Sequence, residues 1–159
     1  MAHPLHPALV HFPIGFWTAS LVFDILSVLR VETVTANYFV MMSWYCILFG
    51  VIAALPTAIT GVAEFVTIPR STKAQVLALG HMTLNVLLLA AYIVQLSLRN
   101  TDALQVSTPA LLANGFSFVM LGVSGYLGGK LAYEYRIGSR TADDRLNDRD
   151  KEKIGKRAA

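Results

Sequence analysis

Long apolar runs alternate with short charged or helix-breaking segments along this chain. The runs cover about residues 8–29, 38–65, 74–98 and 109–133. A helix that crosses a bilayer needs about 20 predominantly apolar residues, and each run reaches that length. The connections are short, so neighbouring helices should pack in opposite directions. The pattern predicts an all-α integral membrane protein, with residues 1–136 folded as a four-helix up-down-up-down bundle.

Charge is concentrated at the C-terminal end of the sequence. Residues 1–129 contain four strong bases and four acids, whereas nine bases and six acids lie between Lys130 and Arg157. Only 14% of all residues are charged, against about 25% in soluble domains. Residues 137–159 show no apolar periodicity and are expected to form a charged tail. The net charge of +3 therefore reflects this tail, and no nucleic-acid partner is expected.

The basic residues also predict the orientation of the bundle. If the N-terminus is cytoplasmic, eleven bases fall on the cytoplasmic side, namely Arg70, Lys73 and the nine that begin at Lys130. Only Arg30 and Arg99 then fall on the outer side. Because cytoplasmic loops of multi-pass proteins carry the excess of Lys and Arg, both termini are expected in the cytoplasm.

The four histidines are predicted near one end of the bundle. His3, His6 and His11 precede or open the first apolar run, and His81 lies near the start of the third. Ionisable side chains are costly in a bilayer and usually mark a functional site. The predicted orientation places all four imidazoles toward the cytoplasmic side.

Other polar side chains are predicted at the same depth. Glu64 lies near the cytoplasmic end of the second run, and Tyr126 lies on the last turns of the fourth. Asn85 follows His81 by one helical turn, so these two side chains share a face. Pro13 lacks an N–H and should kink or fray the first helical turn. Every helix thus contributes polar or aromatic side chains to one leaflet.

These residues suggest a cofactor site. In a four-helix membrane bundle, haem b typically takes two axial imidazoles from different helices, and we expect His11 and His81 to be these iron ligands. His3 and His6 could instead be ligands or bond the haem propionates. The imidazoles could alternatively bind copper or zinc, or be purely structural. Cys46 is alone and no C-x-x-C-H motif occurs, so covalent haem attachment is not expected.

Asp24 belongs to a second, outer region of the bundle. An isolated carboxylate in the membrane costs about 2.5–3.5 kcal/mol on insertion scales, so Asp24 should face inward and find a partner. Asn114, Tyr38 and Ser43 are the candidates by depth. We interpret Asp24 as part of a buried polar contact that holds helices together, with a proton relay as the alternative.

An ordered series of motifs runs through residues 3–135: His-Pro-Leu-His-Pro, Val-His-Phe-Pro-Ile, Ala-Leu-Pro…Thr-Gly…Glu, Gly-His…Asn and Ser-Gly-Tyr-Leu-Gly-Gly…Tyr. In this order the sequence resembles the bacterial DUF2231 family of membrane proteins. The resemblance implies a four-helix inner-membrane protein with a redox role, because some members are joined to Rieske-type or cytochrome-type domains. Glu64 stands where the family usually has Asp. By position, the motif residues are His3, His6, His11, Asp24, Glu64, His81, Asn85, Tyr126 and Gly129.

Three functions are compatible with these observations. The first is a haem b electron carrier that exchanges electrons with a quinone or a separate partner protein. The second is a structural or assembly subunit of a larger membrane complex, and the third is a metal-handling membrane protein. A homo-oligomer is also compatible with the sequence, because a four-helix unit offers limited surface to bury a cofactor.

Overall fold

The computed structural model describes residues 5–29 and 33–137, and the side chains of residues 5–29 and 38–137. These residues form five helices: α1 (Leu5–Leu9), α2 (His11–Leu29), α3 (Thr33–Phe65), α4 (Lys73–Leu98) and α5 (Thr108–Tyr133). Four candidate membrane spans result, at Leu5–Leu29, Tyr38–Phe65, Lys73–Leu98 and Thr108–Tyr133.

The prediction of an all-helical protein with four membrane-spanning segments is therefore confirmed. The up-down order of the helices and the cytoplasmic location of the termini stay predictions. Of the predicted charged tail, residues 138–159 lie outside the described part of the chain.

The first span is interrupted where the sequence predicts it. Val10 separates α1 from α2, and Pro13, three residues later, has no N–H to donate to the Leu9 carbonyl. The Ile14 N–H still reaches the Val10 carbonyl at 3.3 Å. Because α1 is a separate turn, it can pack against α3 as well as α2. This break decides where His6 lies.

Local signals determine where α4 begins. The Thr72 hydroxyl accepts a hydrogen bond from the Gln75 N–H at 3.2 Å, and the Gln75 side-chain carbonyl accepts one from the Ser71 N–H at 2.7 Å. Such a reciprocal cap satisfies donors that the first helical turn leaves free.

The helices pack in a ring, with α2 against α3, α3 against α4, α4 against α5 and α5 against α2. Each contributes one buried stripe in which inward-facing residues recur every three or four positions, as expected for a helix with one buried face. Many of these residues are small or polar, which allows close helix approach inside a membrane protein. The polar members of the stripes are Ser20, Asp24, Ser27, Ser43, Thr57, Gln95, Asn114, Ser117 and Ser124.

Three layers follow one another along the bundle. At one end, which we call the arginine end, Asp24 and Arg99 form a buried ion pair. In the middle, the Trp17 and Tyr92 rings stack with centroids 4.2 Å apart and planes 13° apart. At the opposite end, which we call the histidine end, the helices surround a partly open cavity. In the middle layer, Trp17 and Tyr92 belong to one buried cluster with Ile47, Ala54, Leu88 and Leu121.

Candidate functional site

The cavity at the histidine end has a volume of about 430 Å³. This volume falls within the range of roughly 300–1,000 Å³ typical of small-molecule and cofactor sites. Its walls are mostly apolar and come from all five helices. Its polar lining side chains are His6, Thr57, Glu64, His81, Thr83, Asn85 and Ser124, and Trp17 is also part of the wall. We call this space the histidine cavity.

His6 reaches the histidine cavity from α1. Its Nδ1 lies 2.9 Å from the Thr57 carbonyl oxygen on α3, and a carbonyl can only accept, so Nδ1 carries the proton. Gly61, one turn further along α3, lies beneath the ring. A Cβ atom at Gly61 would lie 3.0 Å from the His6 Cε1 atom. The glycine therefore provides the space that the imidazole occupies.

His81 is held in a similar way on the other side of the cavity. Its Nδ1 lies 3.0 Å from the Ser124 carbonyl oxygen on α5, which again makes Nδ1 the donor. A Cβ atom at Gly128, one turn beyond Ser124, would lie 3.0 Å from the His81 Cε1 atom. Both imidazoles thus combine a backbone carbonyl of a neighbouring helix with a glycine one turn later.

Asn85 completes the surroundings of His81. Its side-chain amide donates to the His81 carbonyl oxygen at 2.8 Å and to the His81 Nε2 atom at 3.1 Å. Its own side-chain carbonyl accepts from the Ser124 hydroxyl at 2.9 Å. The sequence prediction that His81 and Asn85 share a face is confirmed.

The two imidazoles face each other across the cavity. The ring centroids of His6 and His81 are 6.5 Å apart, and the ring planes are at 88°. In a neutral imidazole with its proton on Nδ1, Nε2 is the nitrogen that carries the lone pair. Glu64 also lines the cavity and interacts electrostatically with His6. The structure therefore brings together four of the residues predicted for the site, His6, Glu64, His81 and Asn85.

Other predicted site residues lie elsewhere. His11 is exposed, its Nδ1 is 3.4 Å from the Ala8 carbonyl oxygen of the preceding turn, and it is not part of the cavity wall. Tyr126 is 70% exposed and borders a shallow depression with Lys130 and Tyr133, outside the cavity. His3 lies outside the described residues. Within the described chain, the histidine that faces His81 is His6.

Sequence reasoning did not identify Thr57 and Ser124 as partners of the imidazoles. Both contribute backbone carbonyls, and a sequence carries no signal for the use of a particular carbonyl. The available signal was the spacing Ser124–Gly128 and Thr57–Gly61, in which a hydroxyl residue precedes a glycine by one turn. That spacing places both groups on one helix face, next to the ring that they hold.

The arginine end contains the second polar cluster. Asp24 accepts two hydrogen bonds from Arg99, each at 2.6 Å, and one from the Asn114 side-chain amide at 2.7 Å. Arg99 also donates to the Ser43 hydroxyl at 2.9 Å. The expectation that Asp24 faces inward is confirmed, and of its three candidate partners Asn114 is the one that bonds it. Tyr38 is 61% exposed and is not among these contacts.

A metal centre built from several side chains is not evident. Within residues 5–29 and 38–137, no three His, Cys, Asp or Glu side chains come close enough together to hold a metal ion. Structural zinc sites use four protein ligands, and catalytic sites use three. The histidine cavity therefore presents two imidazoles and an apolar wall, which is a different donor set.

The four long apolar helices define a multi-pass membrane protein. The model of a family described as "Predicted membrane protein (DUF2231)" matches residues 2–141. The chain belongs to this family, and the resemblance in its motifs is confirmed. No curated protein and no solved structure matches the chain significantly.

Proposed function

We propose that this protein is a membrane redox protein that binds haem b in the histidine cavity, with His6 and His81 as the two axial ligands of the iron. The observation that carries the proposal is the imidazole pair. The rings come from α1 and α4, their centroids are 6.5 Å apart, and their planes are nearly perpendicular. The pair replaces the predicted combination of His11 with His81, while retaining His6 as the alternative ligand that the sequence allowed.

The separation of the rings suits one shared metal ion. An imidazole nitrogen binds a metal at about 2.0–2.1 Å. Two imidazoles on opposite sides of one ion therefore have centroids roughly 6 Å apart. The separation of 6.5 Å between the ring centroids of His6 and His81 is compatible with such a shared ion.

The hydrogen bonds of the imidazoles favour the same nitrogen as ligand. Metal-binding histidines usually donate the other ring N–H to a carbonyl or carboxylate, which fixes the ring. Nδ1 of His6 and Nδ1 of His81 have such carbonyl acceptors. Nε2 of His81 also accepts from Asn85. Ligation requires the Asn85 amide to leave Nε2, and its bonds to the His81 carbonyl and to Ser124 can hold it nearby.

The rest of the cavity favours a large apolar cofactor over a bare ion. Two neutral imidazoles leave most of a zinc or copper coordination shell unfilled, whereas a porphyrin supplies the other four nitrogens. The cavity volume is about 430 Å³, and aliphatic side chains and glycines form most of its wall. When bound, haem supplies one-electron chemistry at its iron. The residues of this chain would hold the iron, exclude water and place the group at the histidine end.

The cellular role follows from the predicted orientation. The histidine end would face the cytoplasmic leaflet of a bacterial inner membrane, and electrons would be exchanged there with a quinone or a separate partner protein. A structural or assembly subunit is the second candidate function. It is favoured by the imidazole hydrogen bonds, which tie α1 to α3 and α4 to α5 without any cofactor.

The proposal is tested by producing the full chain in a haem-replete host. We expect a haem content near one per chain, with a Soret band that shifts when dithionite is added. His81→Ala should lose the haem, whereas the control Tyr126→Phe, on the exposed face of α5, should retain it. A folded, helical and colourless preparation would contradict the haem proposal and favour the structural role.

A further inference from the structure

Four buried polar atoms near the arginine end have no hydrogen-bond partner within the described part of the chain. They are the Tyr92 hydroxyl, the Gln95 side-chain carbonyl Oε1, the Arg99 Nε and the Asn114 side-chain carbonyl Oδ1. Tyr92 and Asn114 are 0% exposed, Gln95 is 7% exposed and the Arg99 side chain 2%. Buried polar groups in proteins nearly always have a partner, either from the protein or from ordered water.

The four atoms belong to one region of the bundle. Tyr92, Gln95 and Arg99 follow each other at intervals of three and four residues, so they share one face of α4. Gln95 donates to the Ser117 hydroxyl on α5 at 3.1 Å, and Asn114 lies one turn before Ser117. Asn114 and Arg99 both contact Asp24 of α2. The four residues therefore lie at the junction of α2, α4 and α5.

The orientation of both amides is fixed by their other contacts. A reversed Asn114 amide would turn its carbonyl oxygen toward the Asp24 carboxylate, which now accepts from its Nδ2 at 2.7 Å. A reversed Gln95 amide could accept from the Ser117 hydroxyl only if that hydroxyl gave up its hydrogen bond to the Ala113 carbonyl at 2.8 Å. An exchange of the oxygen and nitrogen positions therefore satisfies neither amide.

The four atoms are chemically complementary to water. Two of them accept only, the Arg99 Nε–H donates only, and the Tyr92 hydroxyl does either. A cation is disfavoured by the neighbouring guanidinium, and an anion by the two carbonyl oxygens and by Asp24. A water molecule both donates and accepts, and buried waters typically make about three hydrogen bonds to such groups.

We propose that ordered water molecules bind at the junction of α2, α4 and α5, where they bridge Tyr92, Gln95, Arg99 and Asn114. They hydrate the Asp24–Arg99 ion pair inside a bilayer-spanning bundle, where every unsatisfied polar group is costly. This inference does not depend on the proposed haem site.

A double-mutant cycle tests the shared water. Tyr92→Phe removes only the hydroxyl, and Gln95→Leu removes the amide. The two side chains share no direct hydrogen bond within the described residues, so dry packing predicts additive changes in Tm. Shared water predicts that each substitution lowers Tm and that the double variant loses clearly less than the sum. The hydrogen bond from Gln95 to Ser117 is lost both in Gln95→Leu and in the double variant. Its loss therefore cancels when the changes in Tm are compared.

The control cycle combines Tyr92→Phe with Ser97→Ala, whose hydroxyl lies on the exposed face of α4 and bonds the Ile93 carbonyl. It should be additive. Additive losses in the Tyr92–Gln95 cycle, or an unchanged or raised Tm in Tyr92→Phe, would overturn the proposal.

Infrared spectroscopy provides a measurement whose deciding result comes from the wild-type protein. O–H stretching bands of internal water in the wild-type protein should shift when H2¹⁸O replaces H2¹⁶O, and the band should weaken in Tyr92→Phe. The absence of an isotope-sensitive internal band in the wild-type protein would overturn the proposal.

Discussion

The Arg99 guanidinium donates two hydrogen bonds to the Asp24 carboxylate, with Nη1–Oδ1 and Nη2–Oδ2 distances of 2.6 Å. Both side chains are almost completely buried. Paired, coplanar contacts of this kind are the strongest hydrogen bonds between charged side chains. Asp24 belongs to α2, and Arg99 directly follows the end of α4. The pair therefore joins two helices that are not neighbours in the ring.

Asp24→Ala should be strongly destabilising, because it leaves the Arg99 charge buried without a counterion. Breaking a buried ion pair from one side costs about 3–5 kcal/mol. The double variant Asp24→Leu with Arg99→Met should recover much of that loss, since it removes both charges. The free energy of unfolding in detergent measures the effect. Asp102→Ala, at an exposed acid, is the matched control, and an equal loss in that variant would contradict the assignment.

The glycines beneath the two imidazoles should not tolerate a methyl group. In Gly61→Ala or Gly128→Ala, the new Cβ would lie 3.0 Å from Cε1 of His6 or His81. Overpacking of this kind costs roughly 1–3 kcal/mol. Thermal unfolding should show the loss, and a bound haem should show a perturbed spectrum.

Gly115→Ala on α5 is the control for this pair of variants, because nothing lies within 4 Å of its Cβ position and it is not part of the cavity wall. Replacing a helical glycine with alanine is otherwise stabilising by about 0.5–1 kcal/mol. If Gly128→Ala were as stable as Gly115→Ala, the close approach of His81 to α5 would be wrong.

Gly50 should be similarly restricted in the middle layer. A Cβ atom there would collide with the Trp17 indole, and the indole cannot retreat because the Tyr92 ring stacks on its face. Gly50→Ala should therefore lower Tm and shift the fluorescence of Trp17, measured in a Trp44→Phe background. Gly122→Ala, with open space at its Cβ position, should do neither. An unchanged Trp17 emission in Gly50→Ala would contradict this packing.

The sequence predicts the four spans well, because length and apolarity alone decide whether a helix can cross a bilayer. It also predicts that Asp24 turns inward and that Pro13 disturbs the first helix. It does not predict that Arg99 is the partner of Asp24. Arg99 ends an apolar run and is therefore assigned to the aqueous loop, whereas its long side chain reaches back into the bundle.

The histidine pair shows a second limit. His11 opens the longer helix and is the natural choice by position, but the break at Val10 leaves His11 on an exposed face. The same break lets the short helix α1 place His6 against α3. The direction of a side chain after a helix break depends on packing that no single sequence reveals, and the same holds for the backbone carbonyls of Thr57 and Ser124.

The most direct measurement compares three alanine variants of the histidines by electron paramagnetic resonance and absorption of the oxidised protein. If His6 and His81 hold the iron, the low-spin haem signal is lost in His6→Ala and in His81→Ala. It is retained in His11→Ala, because that imidazole is exposed and outside the cavity wall. A low-spin signal that survives in His6→Ala and disappears in His11→Ala would contradict the pairing across the cavity.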